Sequence, residues 1–142
     1  MIIQIIAAFI SSYFFSLIFT APKKELVYCA ITGAFGWFIY MYSYENTVIA
    51  TFFASIAVSC VSRFLSHIRL APSTLYLIPG IIPLVPGAGM YYTMTGILNN
   101  DMVYSYMKAV ETMKLAGVIA IGIIIIFSLP YSIFAINIKN NK

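Results

Sequence analysis

Charge is missing from five long stretches of this chain, and that spacing sets the expected architecture. Ile2–Ala21 runs 20 residues before Pro22-Lys23-Lys24-Glu25, Leu26–Tyr44 runs 19 before Glu45, and Asn46–Ser62 runs 17 before Arg63. Leu70–Asn100 is 31 residues, with Leu75–Leu98 as its embedded part, and Leu115–Ile138 is 24. A bilayer core of about 30 Å is crossed by about 20 helical residues. Lipid offers no partner to free backbone N–H and C=O groups, so each crossing segment must be a helix. The pattern therefore predicts an all-α integral membrane fold with five transmembrane helices, near 2–21, 26–44, 46–65, 75–98 and 115–138. Between the last two, Val103, Met107 and Val110 recur at helical spacing. Asp101 is placed to cap that segment, and Glu111 is in reach of Lys108 or Lys114. It is predicted to lie flat on the outer surface as a short amphipathic helix over 101–114.

Composition supports the membrane reading. The 142 residues are 62% hydrophobic and 8% charged, against about 25% charged in soluble domains. A single domain of this length has no core large enough to hide so much apolar surface from water. The net charge of +4 is scattered and forms no stripe that would bind nucleic acid. Its sidedness is more informative. Five crossings gather Lys23, Lys24, Arg63, Arg69, Lys139 and Lys142 on one side, leaving Lys108 and Lys114 on the other. Basic residues favour the cytoplasmic face, which predicts an outside N-terminus and a cytoplasmic C-terminus at the cell membrane. A re-entrant fourth segment regroups the loops without changing that division, so the count does not separate the two topologies. Trp37, Tyr40, Tyr42 and Tyr44, with Tyr104 and Tyr106, are expected in one headgroup layer.

Two faces are expected to meet protein. Thr47, Thr51, Ser55 and Ser59 recur every four residues, extended by Ser62 and Ser66 and flanked by Ala50 and Ala54. Ile49, Phe52, Phe53, Ile56 and Cys60 lie opposite. Small hydroxyl residues let helices approach closely, so this stripe either packs or lines a path. Cys29, Gly33 and Gly36 make a comparable face on the second helix. Gly122–Phe127 is apolar all round and predicts a peripheral, lipid-facing last helix. Cys29 and Cys60 read as small packing residues. The first apolar run lacks a basic leader and reads as a retained helix.

The candidate chemistry lies in the fourth stretch, Ile78-Pro79-Gly80-Ile81-Ile82-Pro83-Leu84-Val85-Pro86-Gly87-Ala88-Gly89. Each proline removes an amide donor from the carbonyl four residues back, which points to Leu75, Pro79 and Ile82 as candidate free carbonyls. Pro86 suits the start of a second half-helix. The break falls near the bilayer centre, where it must face protein or water. Transporters use such breaks, aiming half-helix amides at anionic substrate groups. The amides of Gly87, Ala88 and Gly89 are the candidate anion site, with Tyr91, Tyr92 and Thr93 as nearby donors. A kinked helix that only packs is the alternative. No ionisable residue lies inside a span, and His67 sits at a helix end beside Arg69. Any coupling group is expected from a partner or from Glu45 or Asp101 at the interfaces. With no cluster of His, Cys and carboxylates at membrane depth, the chain offers no metal site, no cofactor site and no enzyme.

Pro79–Thr95, with its Ile-Pro-x-x-Pro-Gly core at Ile82–Gly87 and following aromatic and hydroxyl residues, resembles the threonine/serine exporter (ThrE-type) family, in its small membrane subunit. The resemblance implies half of an inverted-repeat transporter, working with a larger subunit. It implies export of threonine, serine or a related small carboxylate, driven by the proton gradient. Pro83, Pro86, Gly87 and Tyr91 match the family pattern. A non-transporting scaffold that stabilises a partner is the competing function.

Overall fold

The computed structural model describes residues 2–43 and 46–130. Tyr44, Glu45, Lys139, Lys142 and the last part of the expected fifth span lie outside the described residues. Six helices follow in order: α1 (Ile2–Ile18), α2 (Leu26–Tyr42), α3 (Thr47–Arg69), α4 (Thr74–Ile81), α5 (Gly87–Leu98) and α6 (Met102–Ser128), with a 3-10 turn at Ile82–Leu84 after α4. There is no strand among the described residues. By length and composition α3 and α6 could each cross a membrane alone, and α4 with α5 could cross as one bent span. The apolar helices α1 and α2 are each 17 residues long, at the short end of what spans a bilayer.

Chain reversals explain several boundaries. Thr20, Leu70 and Asn100 adopt left-handed backbone at φ 55°, 53° and 57°. In each case the next amide reaches back five residues: Ala21 to Ser16, Ala71 to Ser66 and Asp101 to Gly96. This is the Schellman ending, which gives partners to carbonyls stranded at a helix end. Starts are capped in turn: Asn46 accepts from the Val48 amide and Asp101 from the Tyr104 amide, both at 3.0 Å. The expected cap at Asp101 is therefore present, but the segment it opens is different. Residues 101–114 do not form a separate surface helix, because α6 runs unbroken from Met102 to Ser128. It stops there, well short of 138, ahead of Pro130. The residue before a proline is pushed out of helical backbone, and Leu129 is extended at ψ 142°.

The core is built from small residues. Cys29, Ala30, Thr32, Ala54, Ser55, Ser59 and Ser62 are fully buried. Val58, Ala54, Leu77, Leu84 and Ile119 form the central cluster, against which Trp37 and Tyr40 pack. Those two aromatics are thus partly buried against the core, while Tyr42 is exposed. Close approach is extreme at three glycines. A Cβ on Gly33 would lie 1.9 Å from Ser12 Oγ, one on Gly36 would lie 2.3 Å from Val58 Cγ2, and one on Gly80 would lie 2.8 Å from Thr32 Cγ2. Thus α4 is gripped by α2 and α3, and it also touches α1. By contrast α5 touches α6 and no other helix. The last helix is mostly exposed, in keeping with the peripheral place expected for it, but not all round. One edge of α6, through Ile119, Gly122 and Ile126, is buried against α3, and a Cβ on Gly122 would lie 1.9 Å from Ser55 Oγ.

Candidate functional site

The fourth apolar stretch does break. Its two halves meet at a bend of 50°, across the 3-10 turn and Val85-Pro86. Pro86 sits at φ −76°, ψ 58°, and the Gly87 amide donates to the Val85 carbonyl at 2.7 Å. This is an inverse γ-turn. The amide of Gly87, read from sequence as free for an anion, is therefore already used. Ala88 and Gly89 hold the first-turn amides that a helix start leaves without an internal acceptor. Of the three carbonyls expected to be free, two find donors. The Cys29 thiol donates to the Leu75 carbonyl at 3.3 Å, and the Val85 amide donates to that of Ile82 at 3.1 Å. Cys29 thus does more than fill space.

The bend separates the expected substrate residues. Pro86, Ala88, Gly89 and Tyr92 line a cleft of about 230 Å³ against α6, where Lys108, Glu111, Thr112 and Leu115 complete it. Pro83 belongs to a different cavity of about 350 Å³, with Gln4, Ala7, Ala8 and Ser11 of α1 and Trp37 of α2. Thr93 lines a third, methionine-rich cavity on the far side of the α5–α6 pair, and its hydroxyl donates to the Gly89 carbonyl at 2.8 Å. Tyr91 is 68% exposed, and a Cβ on Gly87 would meet no atom within 4 Å. Four of the eight expected residues therefore share one cleft.

The floor of that cleft is the contact between α5 and α6. A Cβ on Gly89 would lie 2.1 Å from Thr112 Oγ1, and Thr112 turns its hydroxyl to the Lys108 carbonyl at 2.7 Å. Lys108 Nζ lies 2.9 Å from Glu111 Oε2. Lys108 is thus one of the two partners expected for Glu111, but the pair's place on this cleft was missed because it was assigned to a detached surface helix. Its spacing of three residues on a helix was the available signal.

The hydroxyl stripe of α3 lies elsewhere. Thr51, Ser55 and Ser59 are buried and donate to Thr47, Phe52 and Ser55 carbonyls of their own helix at 2.7–2.8 Å. None of the three cavities above includes them. Gly33 and Gly36 face Ser12 and Val58. Arg63, which closes the third uncharged stretch, is buried within α3. Its Nη1 donates to the Leu129 carbonyl at 2.7 Å and also to that of Ile126 at the end of α6, where a cation suits the negative end of the helix dipole.

At the end of the molecule where α3 stops, Glu25 binds Arg69 through both carboxylate oxygens, the shortest contact being 2.7 Å. Glu25 also accepts from the buried Tyr76 hydroxyl at 2.8 Å. The Arg69 guanidinium, ahead of the Tyr76 hydroxyl, holds the Glu25 carboxyl below its usual range. Asp101, one of the two interface acids considered from sequence, uses its side chain to cap α6.

A family model described as threonine/serine exporter, ThrE, matches residues 4–129. The chain belongs to the threonine/serine exporter family. Its apolar helices fit a membrane protein of that family. It is similar to an uncharacterized protein of Haemophilus influenzae, 30% identical over 120 residues. That match covers 77% of this chain but only 40% of the relative. The exporter-family chain thus spans less than half the length of that relative. No solved structure matches it.

Proposed function

We propose that this chain is one membrane subunit of a small-solute exporter that moves threonine, serine or a related small amino acid across the cell membrane together with a larger membrane subunit. The observation that carries the reading is the bend between α4 and α5, with a polar cleft beside it. A break with a ligand-sized cleft is what a substrate path needs, and a packing kink needs neither. In this reading the chain crosses five times, with its N-terminus outside. A bend of 50° redirects the chain without reversing it, which supports a crossing over a re-entrant loop. The greater length of the relative leaves room for a second half there.

Ala88→Leu tests the path. Ala88 lines the cleft from an exposed position on α5, so folding and membrane level should hold while the added side chain fills the cleft. In cells producing the chain with its larger subunit, threonine export should be largely lost. Full export by this variant would favour a scaffold that stabilises its partner without forming the path.

A further inference from the structure

The cleft beside the bend contains two opposite charges within one ligand's reach. Both sit on α6, which runs unbroken from Met102 to Ser128, and not on a detached surface helix. Ionisable side chains of a membrane protein that face a cavity mark substrate paths. We infer that Lys108 and Glu111 form the headgroup subsite for a zwitterionic α-amino acid, Lys108 taking the carboxylate and Glu111 the ammonium. This rests on the exporter reading and names the chemistry of the same cleft.

An α-amino acid carries its ammonium and carboxylate on the same carbon, so its two charges lie close together, as those of the pair do at 2.9 Å. A zwitterion that inserts between Lys108 and Glu111 replaces one ion pair with two. What it displaces is weak, since exposed ion pairs within a helix contribute little. Glu111 has 60% of its side chain exposed and Lys108 34%, so both are open to a ligand. The Gly89–Thr112 contact closes the floor, and the cleft of about 230 Å³ is smaller than the roughly 300–1,000 Å³ of pockets for drug-sized ligands. It suits a small side chain, with the Tyr92 hydroxyl on its wall as a hydrogen-bonding group.

The test uses inside-out membrane vesicles that contain the exporter (this chain with its larger subunit) and measures uptake of radiolabelled L-threonine. Lys108→Met and Glu111→Gln should each raise the KM for L-threonine about tenfold or more at unchanged membrane level. Glu111→Gln should also let N-acetyl-L-threonine, which lacks the ammonium, compete as well as L-threonine does. The exchanged pair, Lys108→Glu with Glu111→Lys, keeps the ion pair on the helix and should stay impaired, because the substrate would have to bind reversed. Recovery of wild-type uptake in the exchanged pair, or unchanged analogue selectivity in Glu111→Gln, would overturn the subsite while leaving the exporter reading standing. Absence of L-threonine uptake by the wild type would overturn both.

Discussion

The Cys29 thiol replaces the donor that Pro79 removes. A proline at that position leaves the Leu75 carbonyl without its helical partner, and the thiol on the neighbouring helix fills the gap at 3.3 Å. Cys29→Ala should therefore cost about 1–3 kcal/mol of stability, the range for leaving a buried polar group unsatisfied. Cys29→Ser keeps a donor and should retain most of it. Thermal melting of the two variants in detergent checks this, and equal loss in both would point to side-chain volume as the cause. No sequence pattern pointed to this role. Prolines identify which carbonyls lose partners, but not which side chain from another helix will come to serve them.

Among elements, the ends that come together at Glu25 join the start of α2, the end of α3 and the start of α4. Since Arg69 and then Tyr76 hold the Glu25 carboxyl below its ordinary value of 4.5, the stabilisation is complete above that value. It is lost as pH falls through the lowered value. The melting difference between wild type and Glu25→Gln should be constant from neutral pH down to about pH 5, then shrink at lower pH. A difference that persists unchanged in strong acid would assign it to packing. The all-helical, apolar character of the chain and the position of the break could be read from sequence, because lipid excludes charge and proline removes amides at fixed offsets. The course of α6 could not. Lys108, Glu111 and Lys114 interrupt the uncharged run, yet charges on an exposed helix face do not end a helix. Pro130 does limit it, although the run of uncharged residues continues to Ile138. The cleft was half legible for the same reason. Pro86, Ala88, Gly89 and Tyr92 lie on the stretch whose break was visible, while Lys108 and Glu111 belong to the helix whose extent was misread.

At the scale of the molecule, α1 to α4 form one packed body, and the α5–α6 hairpin joins it through the contact of α6 with α3. That contact is tightest where Gly122 meets Ser55. Gly122→Ala should cost about 1–3 kcal/mol, as overpacking does. Gly117→Ala on the same helix meets no atom within 4 Å and should instead stabilise by about 1 kcal/mol, because alanine favours helix over glycine. Opposite shifts in melting temperature are expected, and equal shifts would show that α6 is not seated through Gly122. The bend of 50° then has a mechanical consequence. It divides one apolar stretch into a clamped stub and an arm that is tied to the body only by the short turn at 82–86 and by α6. Any sliding of α6 along α3 carries the arm with it. Lys108 and Glu111 ride on that same helix, so the Pro86–Gly89 mouth and the charged pair travel as one carriage. The depth of the cleft in the membrane can change while its internal distances stay the same.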